Sequence, residues 1–103
     1  MDDTLRRIVG VISEESPAVR VVLFGSGARG DAGPQSDLDL LVVVPDGVHR
    51  RRTAQDLYER LRGIPASMDL VVVTLGDVAR HLKSPGLILA TELEEGVDLY
   101  AAA

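Results

Sequence analysis

Two aspartates, Asp37 and Asp39, stand at the head of the apolar run "LDLLVVV", directly after a loop containing Gly25, Ser26, Gly27, Gly30 and Gly33. Side chains two apart on a strand share a face, so both carboxylates project together while Leu38 and Leu40 turn the other way, into the core. Two such charges repel unless a cation lies between them or one is protonated. A third carboxylate, Asp69, opens a second apolar run, "MDLVVV". Oxygen donors with no thiolate or imidazole beside them suit a hard ion, Mg²⁺ or Mn²⁺, and Mg²⁺ commonly completes its shell with substrate phosphates. The glycines let backbone N–H groups approach an anion closely, and Ser26 adds a hydroxyl donor. A helix starting at Ser26 would turn its positive end to the same anion. Together these residues describe a phosphate cradle beside a carboxylate-held metal, the chemistry of a nucleoside triphosphate site. Taken singly, each has a plainer reading: the glycines as a turn, the Asp-x-Asp as solvated charge or a cap.

These residues need a framework that brings them to one place. Asp2 and Asp3 can cap a helix whose Leu5, Ile8, Val9 and Ile12 form one apolar stripe, ending near Glu15 before Ser16-Pro17. "VRVVLF" (19–24), "LDLLVVV" (38–44) and "MDLVVV" (68–73) are β-branched runs of strand length. Ala54, Leu57, Tyr58 and Leu61 predict an amphipathic helix with Tyr58 in the core. A short helix after Gly76-Asp77 would turn Val78, Ala79 and Leu82 inward. Ser84-Pro85 predicts another helix, carrying Leu87, Ile88 and Thr91, and "VDLY" a last extended piece. The order is that of an α/β domain spanning residues 1–103, helices packed on a single mixed sheet. Strands two and three, joined through a helix, should run parallel. Strands one and two should be antiparallel neighbours. That topology sets Gly25-Ser26, Asp37, Asp39 and Asp69 at the same end of the sheet.

With 103 residues, 46% apolar and 26% charged, the composition is that of a globular chain with one modest core. Aromatic residues are 3%, so aliphatic side chains must build it. The absence of cysteine rules out disulfides and thiolate metal sites and fits a reducing cytoplasm. The apolar runs are far shorter than the ~20 residues of a membrane-spanning helix. A net charge of −5 argues against broad nucleic-acid binding, which needs a positive surface. No Gly-Lys-Ser/Thr follows the glycines, which excludes a Walker loop. The acidic strand that follows them excludes a dinucleotide-binding βαβ unit.

The stretch "GSGARGDAGPQSDLDLLVV" resembles the signature of the polymerase-β-type nucleotidyltransferase superfamily, Gly-Ser followed ten residues later by Asp-x-Asp. The fuller pattern, Gly-Ser-x-Ala-Arg-Gly with Ser-Asp-x-Asp-Leu, resembles the minimal nucleotidyltransferase (MNT) branch. Asp69 falls in the place of the family's third carboxylate, and "EEGVDLY" resembles the family's usual ending, so the likeness covers most of the chain. Gly27 departs from the pattern, since many relatives carry a bulkier residue there. The resemblance implies a polymerase-β-like nucleotidyltransferase core in which Asp37, Asp39 and Asp69 hold two Mg²⁺ ions, with Mn²⁺ as substitute. It also implies that Gly25 and Ser26 bind the β- and γ-phosphates of ATP, and that Asp69 helps activate an attacking hydroxyl. Arg29 would contact phosphate or pair with Asp31, and Ser36 would contact the nucleotide or shape the turn. In the MNT branch the implied partner is a HEPN-domain toxin, which the MNT protein, as antitoxin, modifies with AMP. Transfer to a small molecule such as an aminoglycoside, and neutralisation of a partner by contact alone, are the competing expectations.

The remaining features have plainer readings. The basic run His49-Arg50-Arg51-Arg52 is first a solvated helix face and second a partner contact, without the interleaved aromatic residues that stack bases. His49 and His81 lack companions at ligand spacing and read as surface residues. Glu92, Glu94 and Glu95 read as a solvated helix end, and Tyr100 as packed against the body of the domain or a partner.

Overall fold

The computed structural model describes residues 3–24, 38–82 and 96–102. In chain order the elements are α1 (Asp3–Glu15), β1 (Arg20–Phe24), β2 (Leu38–Val44), α2 (Arg50–Arg60), β3 (Met68–Thr74), α3 (Leu75–Leu82) and β4 (Val97–Ala101). The four strands form one sheet in the order β3-β2-β1-β4. β2 and β3 are parallel, and β1 is antiparallel to both β2 and β4. The mixed α/β architecture and each strand relation expected from the sequence are therefore present. The helix expected after Ser84-Pro85 lies outside the described residues.

Alternation along the strands divides the core in two. Val21, Leu23, Leu40, Val42, Val44 and Leu70 face α1 and α2, where Ile8, Ile12, Leu57 and Leu61 close over them. Val22, Leu41, Val43 and Val73 face the other side, with Phe24 and Val78 of α3 at the margin. β2 lies between β1 and β3 and is apolar on both faces, which is why Leu40–Val44 reads as an unbroken buried run. α1 ends where Ser16 donates both its amide (3.1 Å) and its hydroxyl (2.6 Å) to the Ile12 carbonyl. Pro17 prevents further helix.

The ends of β2 and β3 beyond Val44 and Thr74 are closed by side-chain caps. Gly47, at φ +90°, makes the turn after β2 that a residue with a Cβ would strain to adopt. Asp46 in that turn accepts from the Gly76 amide at 2.8 Å. Thr74 and Asp77 form a reciprocal cap on α3: Thr74 N–H donates to Asp77 Oδ2 (3.0 Å) and Asp77 N–H to Thr74 Oγ1 (3.1 Å). Arg50 Nη1 donates to Asp77 Oδ2 at 2.8 Å, and Arg80 also pairs with Asp77. The Thr74 amide is the main cause that holds the Asp77 carboxyl below its ordinary value; burial opposes it and Arg50 assists.

His49 is exposed, as expected, and is also the N-cap of α2, its Nδ1 accepting from Arg52 N–H at 3.1 Å. Two side-chain expectations change. Ala79 is exposed, since the cap starts α3 at Leu75, while Val78 meets the sheet as expected. Tyr58 is 41% exposed rather than core, because its hydroxyl reaches outward to the Leu70 amide at 2.8 Å. Arg51 and Arg52 do lie on a solvated helix face, and Tyr100 packs at the edge of the core below α1 and α2.

Candidate functional site

β2 brings Asp39 to the opposite end of the sheet from these caps. In the register of the sheet Asp39 pairs with Phe24 of β1 on one side and with Asp69 of β3 on the other. Neighbouring strands are about 4.8 Å apart, so the two aspartates are set side by side with Cβ atoms separated by about that distance. Both belong to the face that carries Leu41, Val43 and Val73, away from α1 and α2. Asp39 is half-buried and Asp69 exposed on the edge strand. Phe24 and Leu41 form an apolar floor beside Asp39, which strengthens its attraction for a cation relative to open water.

The placement follows from local sequence. The parallel ladder is anchored by Leu38 N–H donating to the Ser67 carbonyl at 2.9 Å, so pairing extends past both carboxylates to the strand ends. That rung also fixes the alternation: Asp69, Val71 and Val73 turn their backbone groups to β2, and Leu70, Val72 and Thr74 turn theirs to the open edge. Two of the outward amides are covered by side chains, Leu70 by Tyr58 and Thr74 by Asp77. Val72, between them, lines an open cavity of about 570 Å³ whose rim carries His49, Arg50 and Arg51. This cavity is on the α2 side of β3 and is separate from the aspartate pair.

Of the site residues expected from the sequence, Asp39 and Asp69 are brought together. Asp37, Gly25, Ser26, Arg29 and Ser36 lie outside the described residues. Among the described residues no group of three metal-ligating side chains occurs, and the pair Asp39–Asp69 is what remains of the expected triad there. Two adjacent carboxylates offer the hard oxygen donors that Mg²⁺ or Mn²⁺ takes, and leave its other positions for water or substrate oxygens. In donor chemistry and spacing the pair fits such an ion. Sequence reasoning missed Tyr58 as the group that covers the backbone next to Asp69. It also missed the Thr74-x-x-Asp77 cap, although that spacing is legible in "TLGD".

Comparison with known proteins gives this arrangement its context. Compared by sequence with curated proteins, the chain matches none. Among solved structures it is similar to a toxin–antitoxin complex crystallised with AMP-PNP, at TM-score 0.62 and 23% identity, covering 95% of this chain and 73% of that one. It is similar to the complex of a tri-AMPylated Shewanella oneidensis HEPN toxin with its MNT antitoxin, at TM-score 0.55 and 22% identity, covering 96% and 71%. A protein of Sulfolobus solfataricus described as a candidate nucleotidyltransferase matches at TM-score 0.55 and 28% identity, covering 75% and 69%. These likenesses establish the fold. The sequence profile of the nucleotidyltransferase domain matches residues 5–97, a span that takes in both aspartates and every strand that positions them, and the chain thus belongs to the nucleotidyltransferase domain family.

Proposed function

We propose that this chain transfers AMP from Mg²⁺-ATP to a hydroxyl of a HEPN-domain toxin and acts as its antitoxin. The observation that carries the reading is the pairing of Asp39 with Asp69 at one sheet end of a nucleotidyltransferase domain. The similarity to an MNT antitoxin in complex with an AMPylated HEPN toxin, and to a toxin–antitoxin complex holding AMP-PNP, supports the choice of nucleotide and acceptor.

Asp39 and Asp69, with Asp37, would hold the divalent ions. Bound there, these ions supply charge neutralisation on the triphosphate and acidity to the attacking hydroxyl. Gly25 and Ser26 would bind the β- and γ-phosphates, and Arg29 and Ser36 would flank them. The acceptor oxygen attacks the α-phosphorus, the bond to the bridging oxygen of the β-phosphate breaks, and pyrophosphate leaves. Asp69 stands on the exposed edge, where a partner's side chain can reach it, and is the carboxylate suited to receive the hydroxyl proton. Asp39, half-buried beside Phe24, stays an anchor.

Thermal melting with Mg²⁺-ATP tests the nucleotide site. A ligand at a hundred times its dissociation constant stabilises the folded state by about 2.7 kcal/mol, so the melt should rise by roughly 10–20 °C in the native protein and not in Asp39→Asn. An unchanged native melt at saturating Mg²⁺-ATP would refute the site.

A further inference from the structure

Tyr58 projects from the last turns of α2 to the outer edge of β3, where its hydroxyl accepts from the Leu70 amide at 2.8 Å. That amide belongs to the peptide unit whose carbonyl is contributed by Asp69. The ladder alternation turns the Asp69 carbonyl inward to β2 and the Leu70 N–H outward. The unit is therefore gripped on both sides, by β2 within the sheet and by Tyr58 outside it. A planar peptide held at both ends fixes ψ of Asp69 and φ of Leu70, and with them the direction of the Asp69 Cα–Cβ bond. Asp39 needs no such brace, because β2 has a strand on each side, whereas Asp69 stands on an edge strand.

We propose that Tyr58 is a positioning residue for Asp69: its hydroxyl acts as a one-atom substitute for a fifth strand and holds the edge carboxylate in register with Asp39 for a shared divalent ion. This rests on the reading of Asp39 and Asp69 as metal ligands. Tyr58 touches neither substrate nor ion and acts only through the backbone. The arrangement also explains why a tyrosine on the apolar side of α2 stands 41% exposed: the ring spans from the helix to the strand edge, and the hydroxyl supplies the function.

The test compares the native protein with Tyr58→Phe, Asp39→Asn and Asp98→Ala. Asp98, on β4 at the far edge of the sheet, pairs with Arg20 of β1, so Asp98→Ala controls for loss of an edge contact away from the site. Mn²⁺ is titrated into each, the free ion counted by its paramagnetic resonance signal, and hydrogen exchange of the Leu70 amide is followed in parallel. Tyr58→Phe keeps the ring and should keep the fold. It should weaken Mn²⁺ about tenfold, the low end for groups that orient a metal ligand from outside the coordination shell. The Leu70 amide should exchange faster, and Asp98→Ala should bind Mn²⁺ like the native protein. If Asp39→Asn loses Mn²⁺ while Tyr58→Phe binds as the native protein does, the positioning role is wrong and the metal site stands. If Asp98→Ala weakens Mn²⁺ as much as Tyr58→Phe, the effect is general softening and the positioning role is again wrong. If Asp39→Asn binds Mn²⁺ normally, the metal site itself fails and the role of Tyr58 falls with it.

Discussion

Asp77 joins α2, β3 and α3, and replacing it should show how the sheet's capped end is held. It is buried, closes the cap on α3 with Thr74, and pairs with Arg50 at the start of α2 and with Arg80. Loss of a helix-capping side chain costs about 1 kcal/mol. The partners Arg50 and Arg80 are 58% and 72% exposed, so each pair adds only a few tenths of a kcal/mol after solvent screening. Asp77→Ala should therefore destabilise by about 1.5 kcal/mol, which for a domain of this size lowers the melting temperature by roughly 6–12 °C. Asp77→Asn keeps an acceptor for the Thr74 amide and loses the charge, so it should cost about half as much. The sign of the pH dependence follows from the direction of the shift. Asp77 titrates below its ordinary 3.8 in the folded state, so its stabilisation is present above that pH and is lost as pH falls through the folded value. Urea denaturation at pH 7 and at intervals below pH 4 should find the native and Asp77→Asn proteins converging in stability as acid is added. A gap that stays constant across that window would refute the charge-based account, and an Asp77→Ala melt within a degree of native would refute the cap.

Other expectations follow from single contacts. A Cβ at Gly76 would lie 2.8 Å from Asp46 Oδ1, so Gly76→Ala should displace that exposed side chain and cost about 1 kcal/mol through the lost hydrogen bond. In an Asp46→Ala background the same change should become neutral or stabilising, since alanine is the better helix residue; a chemical-denaturation cycle reads both. His49→Asp should raise the melting temperature by a few degrees, because a carboxylate is a stronger N-cap and faces Arg50 to Arg52. Leu57→Ala removes a fully buried side chain between α2 and the sheet and should cost about 2–5 kcal/mol, enough to leave part of the chain unfolded at 37 °C by circular dichroism.

The relations among β1, β2 and β3 were legible in the sequence because they follow from connection lengths and from β-branched runs with firm boundaries, whereas the place of β4 beside β1 was not. "LDLLVVV" is strand over its whole length, and the period-2 rule put Asp39 on the face away from Leu38 and Leu40. Asp69 was expected at the same end of the sheet as Asp39 once β2 and β3 were read as parallel, and the structure adds their direct pairing. Side-chain roles set by tertiary contact were less legible. Nothing local distinguishes a tyrosine that fills the core from one that reaches across a strand edge, and Tyr58 lies on the apolar stripe in either case. Histidine is not among the usual capping residues, so His49 gave no start signal and α2 begins earlier than its apolar spacing suggests. Ala79 was placed inward by periodicity counted from Gly76-Asp77, whereas the Thr74–Asp77 cap starts the helix at Leu75 and leaves Ala79 exposed.

The parallel strands β2 and β3 have the proposed site and their fastenings at opposite ends. Beyond Val44 and Thr74, Asp46, Asp77 and Arg50 bind the turns together. At Asp39 and Asp69 the backbone is held by the ladder and by Tyr58. A site that binds a charged ligand gains from this division, because the ligand meets side chains whose backbone is already fixed.

The most direct test of the account is the mass of the acceptor. The purified chain is mixed with a HEPN-domain protein as acceptor, Mg²⁺ and ATP, and both polypeptides are weighed intact, with Asp39→Asn in parallel. The account predicts one or more AMP units on the HEPN protein with the native chain and none with Asp39→Asn. An unmodified HEPN protein that nevertheless co-purifies with the native chain would contradict it, and would make the chain an antitoxin that acts by contact alone.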